Sequence, residues 1–149
     1  MIATYAATLF GVGRAPFAPG TVASAAALPF AWIVLLLWGP LALVAISVVV
    51  AVAGVWASDR YARENGAHDP SECVIDELVG QWIACAMAPL SLAGFAVAFL
   101  MFRLFDVSKL WPISLAERLG GGLGIMADDI VAGLFAGAVV AVLANVGLV

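Results

Sequence analysis

From Thr21 to Ser58 the chain runs without a charged side chain, and that stretch leaves it few ways to fold. It is far longer and more apolar than one crossing of a bilayer needs, about 20 residues. Hydrocarbon offers no water to the backbone, so such a run must satisfy its own amides and carbonyls as helix. Gly39-Pro40 is a minimal turn within it, dividing crossings at 21–38 and 41–58, with Pro29 as a kink in the first. Over the 149 residues 65% are hydrophobic and 11% charged. Ordinary soluble domains carry about 25% charged residues. The reading is an all-α, polytopic integral membrane bundle, with 1–149 as one domain.

The remaining composition mostly excludes. A net charge of −4 with no basic patch gives no footing for nucleic acid. Cys73 and Cys85 are too few for a disulfide framework or a metal cluster, and Cys85 lies within an apolar run. Residues 1–12 lack a basic start and a cleavage pattern, so no removable signal peptide is expected.

Against this apolar background two pairs of adjacent acids stand out: Asp76-Glu77 and Asp128-Asp129. An unpaired carboxylate buried in hydrocarbon costs several kcal/mol or more, so such acids pair, bind metal or face water. On a helix, Asp129, Gly133, Gly137, Ala141 and Asn145 form a stripe of small side chains headed by an acid. Asp76, Gly80, Ala84 and Ala88 form another. Small residues at that spacing let helices approach closely in a membrane. Two such helices would bring four carboxylates together, which repel unless a cation sits among them. Carboxylate oxygens suit Mg²⁺, Ca²⁺ or Mn²⁺.

Residues 59–73 are polar and read as an extramembrane continuation of the second helix, broken at Asn65-Gly66 and Pro70. The stretch from Val74 to Val107 admits two readings. One crossing with a polar tail would put the acid pairs on opposite sides. Two helices turning at Pro89-Leu90-Ser91 reunite the pairs, give five crossings and gather every charged residue on one side. Positive residues favour the cytoplasmic side, so five crossings are expected. Residues 74–88 would make a helix only about 22 Å long, short of the roughly 30 Å core. The third and fourth helices are therefore either full crossings or a short re-entrant pair.

Cationic and capping groups complete the inventory. Arg103 and Asp106 are three apart and share a helix face, with Lys109 close to the same side. These cations are either snorkelling at a helix end or a phosphate clamp beside the acids. Residues 11–20 are rich in turn formers, and Thr21 is expected to cap the helix that follows, with Ser24 three residues on. A Gly20-Thr21 helix entrance presents amide N–H groups that suit phosphate. Trp111 reads as an interfacial anchor, residues 115–119 as a short surface helix, and Gly120 to Gly124 as a flexible lead into the last span.

Four stretches, taken together, resemble the bacterial phosphatidylglycerophosphatase A family. They are Gly11-Val12-Gly13 with Pro19-Gly20-Thr21 and Ser24; His68-Asp69 with Val74 to Gly80; Phe102 to Asp106 with Lys109 and Trp111-Pro112-Ile113; and Gly124 to Asp129 with Ala132-Gly133. They come in the family's order and cover nearly the whole chain. Leu110, where the family pattern has proline, and Cys73 are departures. The resemblance implies a Mg²⁺-dependent lipid phosphatase of the bacterial inner membrane, its site facing the cytoplasm. Its substrate would be phosphatidylglycerophosphate, hydrolysed at the terminal phosphomonoester.

Other phosphatase chemistries lack their residues. There is one histidine, no Cys-x5-Arg loop and no Asp-x-Asp motif. Metal-assisted hydrolysis remains. Asp76, Glu77, Asp128 and Asp129 are the candidate metal ligands and catalytic acids, with Asp69 and Asp106 as further candidate ligands. Arg103, Lys109, Arg14, Gly20, Thr21 and Ser24 are the candidate phosphate holders, Arg103 also counted as catalytic. Water or an acid attacking phosphorus directly are both open. An ion-coupled transporter is the alternative from another class, since membrane-embedded acids also mark ion paths. Against it, the acids gather on one face, and the chain is small for a machine built of repeats. A non-catalytic scaffold explains neither acid pair. The Asp-Gly-x2-Ala-Arg signature of the CDP-alcohol phosphotransferases is absent.

Overall fold

The computed structural model describes residues 1–67 and 70–149, and Glu117 through its backbone alone. Among these residues all regular structure is helical: α1 (Ile2–Ala7), a 3-10 turn (Leu9–Arg14), α2 (Pro19–Asn65), α3 (Ile75–Ala86), α4 (Leu92–Ser108), α5 (Ile113–Ala116), a second 3-10 turn (Glu117–Leu119) and α6 (Gly121–Asn145). Two helices, α2 and α6, are long and apolar enough to cross a membrane, with mean hydropathy 2.7 and 2.0 over their most apolar stretches.

The 47 residues of α2 are two arms. Gly39 interrupts them with φ 78° and ψ −179°, a backbone state open to glycine and strained for other residues. The arms reverse direction there. On the first arm Gly20 abuts Glu77, and the Ala27 carbonyl accepts the Trp82 indole N–H at 3.1 Å. On the second arm Val44 and Val48 border Ile83 and Met87, whereas Gly54 abuts Ile75. The first arm therefore ascends α3 and the second descends it, leaving both far ends beside the start of α3. The expected turn at Gly39-Pro40 is observed, as is the helix stop at Asn65, where Gly66 adopts the left-handed C-cap.

Residues 74–107 fold as two helices rather than one. Ser91 caps α4 by accepting the Gly94 N–H at 2.9 Å. With 12 residues α3 is about 18 Å long. Its small-residue stripe faces that of α6. A Cβ on Gly80 would lie 2.6 Å from the Asp129 carbonyl oxygen, and one on Gly133 would lie 3.0 Å from the Gly80 Cα. Backbone thus meets backbone where the acids sit. Phe102 of α4 closes over Gly80, and Trp82 stacks on Phe30 at 4.8 Å, burying the far side of α3.

Three local expectations are corrected. Thr21 is not the cap of its helix: α2 begins at Pro19, the cap position is Ala18, and no side chain caps it. Proline at the first helical position needs no N–H partner, so the helix starts earlier than a hydroxyl cap implies. Gly121 to Gly124 are not a lead but the first turn of α6. Glycine's poor helix propensity is overridden by packing: a Cβ on Gly122 would stand 2.7 Å from the Asp59 amide nitrogen. Asp59 Oδ1 in turn accepts the Gly122 N–H at 3.4 Å, an acid placed at a helix N-terminus. The expected surface helix at 115–119 is instead α5 and the second 3-10 turn.

Candidate active site

The antiparallel run of α3 and α4, and the parallel run of α3 and α6, bring the starts of α2 and α3, the end of α4 and the second turn of α6 around one cavity of about 270 Å³. Its walls carry Asp76, Glu77, Asp128, Asp129, Asp106, Arg103 and Lys109, together with Gly20. Residues 70, 71 and 73 form a further wall just before α3. The acid pairs are thus reunited, as the two-helix reading of 74–107 requires.

Within this ring the acids divide by partner. Asp106 Oδ2 pairs with Arg103 at 2.5 Å, one helical turn away. Asp128 Oδ2 pairs with Lys109 Nζ at 3.0 Å, and its Oδ1 accepts the Asp129 N–H at 3.0 Å. Asp76, Glu77 and Asp129 form a trio beside these pairs, one oxygen from each lying within 4.8 Å of the others. Asp76 Oδ1, Glu77 Oε2 and Asp129 Oδ2 are buried and have no hydrogen-bond donor among the described residues. Buried polar atoms are almost always satisfied, so three converging acids that each carry such an oxygen call for a shared positive partner. The donor set is all oxygen and anionic, which fits a hard divalent cation.

Arg103 is held from behind. Its NH1 group, only 17% of the side chain being exposed, donates to Asp106 and lies 3.5 Å from Ser24 Oγ. Ser24 is fully buried and donates to the Gly20 carbonyl at 2.8 Å. Ser24 therefore supports Arg103 and is not a wall of the cavity. Gly20 admits both partners: a Cβ there would collide with the Glu77 carboxylate and stand 3.2 Å from Arg103 NH1. Thr21 is not among the lining residues. Arg14 lies elsewhere, 63% exposed, its Nε 3.7 Å from Glu72 Oε2. Asp69, and His68 beside it, lie outside the described residues.

One feature escaped the sequence reading. Tyr61, near the end of α2, donates to Glu72 Oε2 at 2.5 Å. Cys73 Sγ donates to Ser58 Oγ at 3.2 Å, and Val74 N–H to the Ala7 carbonyl at 2.9 Å. These bonds tie the wall at 70–74 to the second arm of α2 and to α1. The partners are 11 or more residues apart, and no periodicity links them.

A model of the phosphatidylglycerophosphatase A family matches residues 5–144, which includes every described wall of the cavity. The chain belongs to that family. A phosphatidylglycerophosphatase A of Escherichia coli K12 is 39% identical over 84% of this chain and 73% of its own length. One from Haemophilus influenzae is 36% identical over 85% and 79%. A Bacteroides thetaiotaomicron protein with a provisional assignment as a phosphatidylinositol-3-phosphatase is 38% identical over 91% and 89%. No solved structure matches the chain. As a member of the phosphatidylglycerophosphatase A family the chain is a phosphatase.

Proposed function

We propose that this phosphatase hydrolyses the terminal phosphomonoester of phosphatidylglycerophosphate, giving phosphatidylglycerol and phosphate, and that it requires Mg²⁺. The observation that carries the cation requirement is the convergence of Asp76, Glu77 and Asp129, each with a buried oxygen that has no donor among the described residues. These three would hold the cation. Bound there, it supplies a Lewis acid that draws charge from a phosphoryl group and acidifies water.

The chain's own residues supply the rest. Arg103 reaches the cavity with a guanidinium that binds two phosphate oxygens at once and keeps its proton. Asp106 and Ser24 fix its orientation in advance, which lowers the entropy lost on binding. Lys109, held by Asp128, adds a second positive charge to the same cavity. Hydrolysis breaks the bond between phosphorus and the glycerol oxygen. Water's oxygen goes to phosphorus, and its protons are shared between the departing alcohol and the released phosphate. A carboxylate of the ring accepts the proton in transit.

The enzyme is proposed as a single domain of the bacterial inner membrane. Five segments enter the bilayer: the two arms of α2, then α3, α4 and α6. With 12 residues α3 is too short to cross unaided, so α3 and α4 enter as a re-entrant pair beneath a cytoplasmic site. The transporter reading gains no support from the relatives, all of which are described as phosphatases.

The decisive experiment is phosphate release by the purified protein from phosphatidylglycerophosphate in mixed micelles, with Mg²⁺ or with chelator. A parallel arm with phosphatidylinositol 3-phosphate addresses the Bacteroides relative's assignment. Release from phosphatidylglycerophosphate only with Mg²⁺ is expected. No release from it under any condition overturns the proposal, and preference for the inositol lipid replaces its substrate.

A further inference from the structure

We infer that the cavity has a lateral opening between the start of α2 and the end of α4, through which a lipid enters from the leaflet with its acyl chains lying against those two helices. The inference rests on the phosphatase reading above and adds the route by which that substrate arrives.

The argument begins with what surrounds the cavity. On one side its wall is residues 18–20 of α2 and residues 103, 106, 107 and 109 at the end of α4. Several large apolar side chains on or next to these two segments are exposed. Phe17 is 84% exposed, Val107 71%, Leu104 55% and Val22 42%. Leu110 and Trp111 continue the exposed apolar surface past Lys109. The surface does not end at the rim. Phe30, Ile33, Leu36 and Leu37 extend it along the first arm of α2, and Leu100 and Leu92 extend it along α4. Exposed apolar side chains therefore recur along both helices up to the residues that wall the charged cavity.

The other side is built differently. There the second arm of α2 ends in the ion pairs Arg60–Glu64 and Arg63–Asp59, all beyond Ser58. The wall at 70–74 is bound down to that arm by Tyr61 and Ser58. Val49, Val52 and Trp56 are exposed on the second arm as well, but there the ion pairs and the bound-down wall stand between that apolar surface and the cavity. On the inference, the ion-paired flank would face water and the flank of Phe17 and Leu104 would face lipid. A diacyl phosphomonoester has the same division within one molecule. Its phosphate suits Arg103 and Lys109, and its chains suit the surface below Phe17 and Leu104, without leaving the hydrocarbon. Arg103 marks the level at which the two halves meet: it is on α4 immediately before Leu104, and its NH1 lies across from Gly20.

Another cavity, apolar and of about 320 Å³, lies between the second arm of α2, α3 and α6, lined by Val48, Ile83 and Ile130 among others. It is the competing place for the chains, and the test separates the two. Phosphatidylglycerophosphate carrying a photoactivatable diazirine in one acyl chain is irradiated with the wild-type enzyme in nanodiscs, and labelled peptides are mapped. Label on residues 17–22 and 104–111 is expected. Label confined to residues 44–51 and 83–87 overturns the inference.

Turnover provides the second readout. Phe17→Asp and Leu104→Asp place a charge on the apolar flank without touching the cavity wall. Each should slow hydrolysis of the long-chain lipid in vesicles by about tenfold or more, because a carboxylate there opposes contact with hydrocarbon. Hydrolysis of a water-soluble dihexanoyl analogue should change by less than about twofold, the size of an ordinary surface substitution. Equal losses on both substrates overturn the lateral route. Loss of wild-type activity on both lipids would instead remove the phosphatase reading, and the labelling pattern would still report where the lipid binds.

Discussion

Asp129 is 2% exposed and carries an oxygen with no donor among the described residues, in an enzyme whose neighbouring acids on α6 and α4 already have cationic partners. That difference between Asp129 and Asp128 or Asp106 predicts different consequences of mutation. Asp129→Asn and Asp76→Asn should lower phosphate release by about a thousandfold, the loss of several kcal/mol of transition-state stabilisation. They should also abolish thermal stabilisation by Mg²⁺. In the wild type that stabilisation should reach about 2.7 kcal/mol at a hundred times the dissociation constant, and chelator should remove it. An Asp129→Asn protein that still melts higher with Mg²⁺ and still turns over would exclude Asp129 from the cation site. Arg103→Lys retains one charge but cannot bond Asp106 and a phosphate fork together. A fall of about tenfold to a hundredfold in kcat/KM is expected, from the 1.5–3 kcal/mol typical of charge-assisted bonds. Lys109→Arg keeps its charge next to Asp128 and should be milder. Steady-state kinetics of the two variants side by side checks the ranking.

The elements owe their arrangement to missing side chains and to a few bonds across the sequence. Gly80 and Gly133 let α3 and α6 meet backbone to backbone, so Gly133→Leu should push the two helices apart. Activity and Mg²⁺-dependent melting should be lost together, since Asp129 would move away from Asp76. Retention of the Mg²⁺ effect would show that the contact is not what sets the trio. Much of this was legible in the sequence: the Gly39 reversal, the turn before Ser91, both small-residue stripes and the Arg103–Asp106 pair all follow from local spacing. The Gly121 to Gly124 helix was not, because propensity argues for a loop and only the second arm of α2 overrides it. The Tyr61–Glu72 bond was hidden for a different reason, since nothing in either neighbourhood names the other. Tyr61→Phe removes that bond alone. It should cost about 1 kcal/mol or slightly more of stability and loosen the wall at 70–74, read as faster maleimide labelling at Cys73 in a Cys85→Ala background. Unchanged labelling would reduce the bond to a local contact.

At the scale of the whole molecule the charges are segregated, and the segregation predicts orientation. Single cysteines at Asn65 and Ser91, in a background lacking Cys73 and Cys85, should differ: Asn65 labels from the cytoplasmic side. Efficient labelling of Ser91 from the opposite side means full crossings by α3 and α4. Protection from both sides means a re-entrant pair, and labelling from the same side as Asn65 rejects both arrangements.

The trio also has an order of birth. Asp76 and Glu77 leave the ribosome about 50 residues before Asp129, an interval of several seconds at 5–20 residues per second. Until α6 is inserted beside α3, no oxygen from Asp129 can complete the set, and Gly80 has no glycine to pack against. A nascent chain stalled before Gly121 would be inert however well its first four segments are placed. Cation capture would then coincide with the arrival of α6, so that the enzyme switches on only once that helix is beside α3.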